Sequence, residues 1–216
     1  NAVMSLLPGP AVENAASIWV GSHGSGLGRI ELGGWRTISH QHGLPNKSVW
    51  SILDARVPDG HHEIWMGTLG GGAAVWHDAW TVHDTSNGLT DDAVVALAAG
   101  VDASRSEIFA GLLAGGLCRW DGTAWSAVDA PEPVANNAVL SVLESRGTDG
   151  GHTLWVGTNG GGLARRTAAG WTVWDTRSGL PNNVVVCLLE THDASGTSLW
   201  AGTNGGGLAR FRRGAW

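Results

Sequence analysis

The chain has 216 residues, a formal net charge of −6 and a pI near 5.8. Its 13 lysines and arginines form no basic stripe, which argues against nucleic acid or an anionic membrane surface as partner. No run of about 18 apolar residues and no basic-then-apolar leader is present, so neither a membrane span nor a signal peptide is visible. The chain opens inside a repeat without an initiating methionine and reads as a mature or excised segment, which leaves the compartment open.

The first predicted element is a short apolar run opening at Val3, and the same run returns at Val49, Val94, Val139 and Val185. Next comes a W-x-G-T-like tetrad led by Trp19, Trp65, Phe109, Trp155 and Trp200. A third marker, Trp35, Trp80, Trp125, Trp171 and Trp216, keeps the same beat. Three markers in phase divide the chain into units 1–45, 46–90, 91–135, 136–181 and 182–216 of a single domain. A period in the forties with several β-like segments per unit points to a β-propeller.

The fourth unit sets the plan. Residues 137–143 are β-branched-rich and predict an innermost strand A, and polar residues 144–153 predict a loop. Residues 154–158 predict strand B, and Asn159-Gly-Gly-Gly162 a hairpin in which glycine permits positive φ. Residues 163–166 and 170–175 predict strands C and D, and Ser178-Gly-Leu-Pro181 turns into the next unit. Small residues recur at the centre of strand A (Ser5, Ser51, Ala96, Ser141, Cys187), where blades crowd towards the axis. Strand C alternates small and large residues, as in Ala74 with Trp76 and Cys118 with Trp120, the pattern that interdigitating blades need. The expected fold is therefore all-β: a propeller of five four-stranded blades, the last incomplete because it stops where strand D starts. Closure with five blades is favoured over a piece of a longer propeller.

The unit resembles the two-component regulator propeller repeat, most closely over Leu154 to Asn183 and Leu199 to Arg210, with matches at Gly43 to Thr68 and Trp80 to Leu89. The resemblance implies a sensor module, the extracytoplasmic input region of a bacterial histidine kinase or hybrid regulator. It thus implies a periplasmic or extracellular location, with polysaccharide-breakdown products prominent among the family's signals. Family members carry more than five such repeats. The third unit departs from the pattern, with Phe109 for Trp and Leu112-Leu113-Ala114 where Thr-Asn-Gly is expected.

Candidate chemistry concentrates at the entry to strand A. Each of the last four valine markers is preceded by a polar pair: Asn46 and Lys47, Asp91 and Asp92, Asn136 and Asn137, Asn182 and Asn183; Asn1 precedes the first. The hairpins between strands B and C open on the same face and carry His23, Asn159 and Asn204 at one equivalent position. Amides and carboxylates around a glycine-lined channel mouth suit a small molecule or oligosaccharide. The alternative is that Asn and Asp cap their own turns.

Other features read as structural. The tryptophans fall on periodic slots and are expected to pack between blades rather than stack on sugars. The glycine-rich hairpins lack the Lys and hydroxyl residue of a phosphate loop. Arg29, Arg119, Arg165 and Arg210, matched with Asp54, Glu144 and Glu190, are expected to form ion pairs between blades. Cys118 and Cys187 are expected to be buried thiols rather than a disulfide. The nine histidines show no zinc spacing, so no metal or other cofactor is expected. No catalytic constellation can be assembled. The expectation is a non-enzymatic recognition module. The alternatives are a free-standing lectin or protein-interaction scaffold, with a protein partner or self-association, and more remotely a propeller lyase or hydrolase using His23 or His42.

Overall fold

The computed structural model describes the chain except for residues 1, 13, 14, 32, 33, 78, 103, 148, 149 and 195, and the side chains of residues 10–12, 15 and 16. The described residues form five antiparallel sheets, each a meander in chain order. The first blade comprises β1 (Val3–Val12), β2 (Ala15–Ser22), β3 (Leu27–Glu31) and β4 (Gly34–Ile38). The second comprises β5 (Val49–Arg56), β6 (His62–Thr68), β7 (Ala73–Trp76) and β8 (Trp80–His83). The third comprises β9 (Val94–Ala99), β10 (Ile108–Leu112), β11 (Leu117–Trp120) and β12 (Trp125–Ala127). The fourth comprises β13 (Val139–Arg146), β14 (His152–Thr158), β15 (Leu163–Thr167) and β16 (Gly170–Trp174). The last has only β17 (Val185–Asp193), β18 (Gly196–Thr203) and β19 (Gly207–Phe211). This is a five-bladed β-propeller with an incomplete final blade, as expected.

Strands A and B run further than the sequence suggests. The predicted loop 144–153 shrinks because Glu144, Ser145 and Arg146 continue the ladder opposite Leu154, Thr153 and His152. The polar side chains that extend the ladder find partners within the protein: Glu144 accepts the Val101 N–H, and Arg146 donates to the Val101 carbonyl. The third connection between strands D and A also differs, forming a short helix α1 (Glu132–Ala135) where the others have a 3-10 turn.

Innermost strands pack side by side: β1 on β5, β5 on β9, β9 on β13 and β13 on β17. Among the described residues no comparable packing joins β17 to β1, so the seam expected from five-blade closure lacks the contact seen at the four other interfaces. Each of those interfaces has its own buried cluster. Leu27, Leu44 and Val49 fill the first; Ala73, Leu89 and Val94 the second; Leu117, Val134 and Val139 the third; Leu163, Leu180 and Val185 the fourth. The first residue of strand C is thus covered by the following connection and by the valine of the next blade. Most tryptophans join these clusters as expected: Trp65 meets Trp120 and Trp125, and Trp155 meets Trp174 and Phe211. Trp35, on the outer strand of the first blade, departs from the expectation and is 56% exposed.

Two expectations are corrected. The periodic charges do not pair between blades. Arg29 binds Glu31, Arg119 binds Glu107, Asp54 binds His62, Glu144 approaches His152 and Glu190 approaches His192, each within one blade. The reason lies in the register, which sets each strand C arginine directly opposite the strand B aromatic. Arg29, Arg165 and Arg210 therefore lie 4.8, 5.5 and 5.2 Å from the rings of Trp19, Trp155 and Trp200, where a cation is held by the π face. The second correction concerns the thiols. Both are free, but only Cys118 is buried, and Cys187 is exposed.

Candidate functional site

Three of the connections between strands D and A follow one local logic. Ser39, Asp84 or Asp175 caps a 3-10 turn, which ends at Gly43, Gly88 or Gly179 with φ of 95°, 118° and 101°. The side chains of Asn46, Asp91 and Asn182 then accept the N–H two residues on, at 2.8, 3.1 and 2.8 Å, as turn-forming Asn and Asp do. Asp91 also accepts the Ala114 N–H of its own blade's hairpin at 2.7 Å. One residue later, Asp92 and Asn183 accept the Thr85 and Thr176 N–H groups at 2.7 and 2.8 Å. Their main-chain carbonyls accept N–H groups from the preceding blade's hairpin: Gly70 and Gly72 at 3.0 and 2.7 Å, Gly160 and Gly162 at 3.1 and 2.9 Å. Lys47 takes the same role through its carbonyl, which accepts from Gly26 at 2.8 Å. A backbone acceptor explains why lysine, aspartate and asparagine alternate at this position.

Between the fourth blade and its neighbours these loops enclose a cleft of about 580 Å³. It is lined by Glu132 and Pro133 of the α1 connection, Asn137, Gly160 and Gly161 of the hairpin, Val173 of β16, Asp175, Arg177 and Ser178 of the next connection, and Asn183. A Cβ on Gly161 would lie 2.4 Å from the Pro133 carbonyl oxygen, so glycine is what lets hairpin and connection meet. Asn137 donates through Nδ2 to the Pro133 carbonyl at 3.0 Å, leaving Oδ1 uncommitted. Asn183 is used through Oδ1, leaving its amide hydrogens uncommitted. The lining thus offers one amide acceptor and one amide donor. Asp175 and Arg177 add a charged pair, with Nε to Oδ2 at 2.7 Å. The Arg177 guanidinium, helped by the turn's N–H groups, holds the Asp175 carboxyl below its usual range.

Of the sequence-derived candidates, Asn137 and Asn183 come together here. Asn46, Asp91, Asp92 and Asn182 are committed to loop hydrogen bonds, and Asn136 ends α1 with its N–H bound to the Glu132 carbonyl at 3.0 Å. Asn159 and Asn204 stay exposed at their hairpins, and their N–H groups donate to Ala138 and Val184 at 2.9 Å. Exposed His23 sets its ring edge-on to Trp50 at 6.4 Å, and the Lys47 side chain is exposed. Asn1 lies outside the described residues. Sequence reading missed Glu132, Asp175, Arg177 and Ser178. The signal was the D-x-x-S string, which repeats the capping pattern of Asp84 to Asn87.

Two further cavities lie elsewhere. One of about 510 Å³, lined by Glu107, Glu144, His152, Arg105 and Arg119 among others, sits between the third and fourth blades on the opposite side. Burial and the nearby Glu107 charge push Glu144 up, against the Val101 N–H bond at 2.6 Å. The other, about 530 Å³, is flanked by Trp19, Trp76 and Trp80 with Arg29, Arg36 and His42. His42 itself accepts the Ser39 N–H at 3.1 Å and shapes the 3-10 turn. Among the described residues no group of three or more His, Cys, Asp or Glu is placed to hold a metal ion.

No family model matches the chain, and no curated protein matches it. Solved structures do. PorZ, described as an essential bacterial surface component of the type-IX secretion system of Porphyromonas gingivalis, matches with a TM-score of 0.60 at 15% identity over 90% of this chain. The chain spans only 30% of that PorZ chain. BBS1N, crystallised in complex with ARL6DN, matches with a TM-score of 0.61 at 13% identity over 99% of this chain and 67% of its own. Likeness at this identity is likeness of fold.

Proposed function

We propose that this propeller is a non-enzymatic recognition module that binds a small molecule or oligosaccharide in the cleft between Asn137 and Asn183. The observation that carries the reading is the pair of half-used amides facing a cleft of about 580 Å³ beside glycine backbone. A donor and an acceptor at fixed positions match the alternating hydroxyls of a sugar, and the polar lining suits a hydrated ligand. The resemblance to two-component regulator propellers supports a sensor role in an extracytoplasmic input region. A glycan array probed with the chain, followed by titration of any hit, tests this. Binding lost in the Asn137→Ala/Asn183→Ala variant supports the site, whereas undiminished binding by that folded variant rules it out.

A protein-interaction reading is favoured by one observation: Leu113, at the tip of the third hairpin, is exposed. A neighbour in fold was crystallised with a protein partner, which is compatible with that use of a propeller. Leu113→Asp changing the mass of the protein in solution would support contact through this hairpin, and an unchanged mass would count against self-association there.

A further inference from the structure

At two of the four packed interfaces a ring from the end of strand D is held between two others. His83 lies 5.3 Å from Trp65 of its own blade and 4.6 Å from Trp120 of the next. Trp174 lies 5.9 Å from Trp155 and 5.1 Å from Phe211 in the same arrangement. The strand register identifies the first blade's counterpart of these middle rings. His83 stands opposite Ala73 and Trp174 opposite Leu163, the first residues of their strands C, and Ile38 stands opposite Leu27. Both outer rings are kept at this interface, as Trp19 and Trp76, but a shorter aliphatic side chain replaces the middle one. A cavity of about 530 Å³ results, with Trp19, Ile38, Trp76 and Trp80 among its walls. Trp76 packs on Trp80 at 5.0 Å. Among the described residues Trp19 pairs with no aromatic ring and has only the Arg29 guanidinium 4.8 Å from its centroid.

We propose that this cavity is a second binding site, distinct from the cleft at Asn137 and Asn183, for a small planar aromatic anion. The planar part of the ligand supplies the missing middle ring, stacked between Trp19 and Trp76. Its charge is matched by side chains that the blade plan does not require. Arg36 lines the cavity, is exposed and, among the described residues, has no ion-pair partner. Register places Thr81, Ser126 and Thr172 at the same point of strand D, so a short hydroxyl side chain serves the other blades. His42 ends a 3-10 turn where Asn87 and Ser178 end theirs, and its Nδ1 accepts the Ser39 N–H at 3.1 Å. That bond assigns the ring proton to Nε2, which leaves an N–H donor on a residue of the cavity wall. Arg29 is already held by Glu31 at 2.8 Å, so Arg36 and His42 are the groups available to a carboxylate. The third interface also lacks a middle ring, with Val128 opposite Leu117. Its outer positions, however, are Phe109 and Arg166, so it has no slot between two rings.

Indole-3-acetate is the probe, because it joins an indole to a carboxylate, and 3-methylindole is its neutral counterpart. Titration calorimetry of the 216-residue chain is expected to give a Kd of about 1 mM or tighter for indole-3-acetate, the affinity that ordinary ligand efficiency gives at this size. 3-Methylindole should bind about tenfold more weakly, for want of the charge-assisted hydrogen bond. Arg36→Thr should weaken indole-3-acetate by a similar factor and leave 3-methylindole unchanged. Ile38→Trp places in the slot the ring that the fourth blade has there, and should abolish binding of both compounds without loss of fold. The Asn137→Ala/Asn183→Ala variant should bind indole-3-acetate as the parent chain does, which separates this site from the cleft. Binding lost in that variant would put the ligand in the cleft instead and overturn the proposal. Absence of binding by the parent chain, or undiminished binding by folded Ile38→Trp, would also overturn it. Equal affinity for the two compounds would refute the preference for an anion. If Ile38→Trp does not fold, Arg36→Thr decides, and unchanged affinity for indole-3-acetate in that variant refutes the site.

Discussion

A Cβ placed on Gly157 would lie 2.7 Å from Cγ1 of Val185, the residue that opens the next blade's innermost strand. The same glycine faces Ser141 Oγ, 2.3 Å from that position, so three groups converge where only a hydrogen fits. This contact recurs at every interface between successive blades, which ties the glycine of the W-x-G-T string to the valine marker some 28 residues later.

Gly157→Ala is therefore expected to destabilise the protein by about 1–3 kcal/mol, the usual cost of overpacking a filled core. Gly202→Ala is expected to cost less, because the exposed Cys187 side chain can swing away. Urea denaturation of the two variants checks the order, and equal losses would contradict the packing account.

Arg210 reaches Ser198 Oγ through Nε and Nη2 at 3.0 and 2.9 Å, and Ser198 is buried. Arg210→Met strands that hydroxyl and removes the cation from the Trp200 ring, so a loss of roughly 1–2 kcal/mol is expected. Adding Ser198→Ala should recover part of it, because no buried donor or acceptor is then left alone. A double-mutant cycle measures the coupling, and strict additivity would argue against it.

His83 stacks on Trp65 at 5.3 Å with planes 10° apart and meets Trp120 at 4.6 Å. Burial among these rings holds the imidazole below its ordinary value of 6.5, with Asp84 opposing more weakly. Protonation thus favours the unfolded chain. The stability contributed by the neutral ring is fully present above about pH 6.5 and is lost as pH falls through the lowered folded value. His83→Phe should flatten this part of the stability profile below pH 6.5, as read by melting temperature against pH. A profile unchanged by the substitution would assign the dependence elsewhere.

Cys187 is exposed and Cys118 is buried without a disulfide. One thiol of the native 216-residue chain should react readily with an aromatic disulfide reagent, and the second only on unfolding. Mass mapping of the labelled residue checks the assignment, and early labelling of Cys118 would refute it.

Fold and packing were legible because they are local and periodic. The valine, aromatic and glycine markers recur every 44 to 46 residues, and each repetition meets its successor in the same way. Much less of the candidate site could be read. Asn137 and Asn183 were visible as repeated polar residues, yet Asn46, Asp91 and Asn182, one repeat position earlier, carry the same kind of side chain and are committed to hydrogen bonds within the loops. Which oxygen or nitrogen of an amide is left free depends on partners such as the Pro133 carbonyl, and the irregular α1 connection supplies that partner only once.

The sequence alone determined the blade, its repeat and the residues at each interface, because alternating strands and fixed spacing dictate which face every side chain takes. Only the tertiary structure decided that strand C arginines bind indoles and in-blade partners instead of the next blade's acids, and that Cys187 is bare. Those outcomes depend on which atoms lie opposite one another after the sheets have twisted and stacked, a relation that spacing along the chain does not contain.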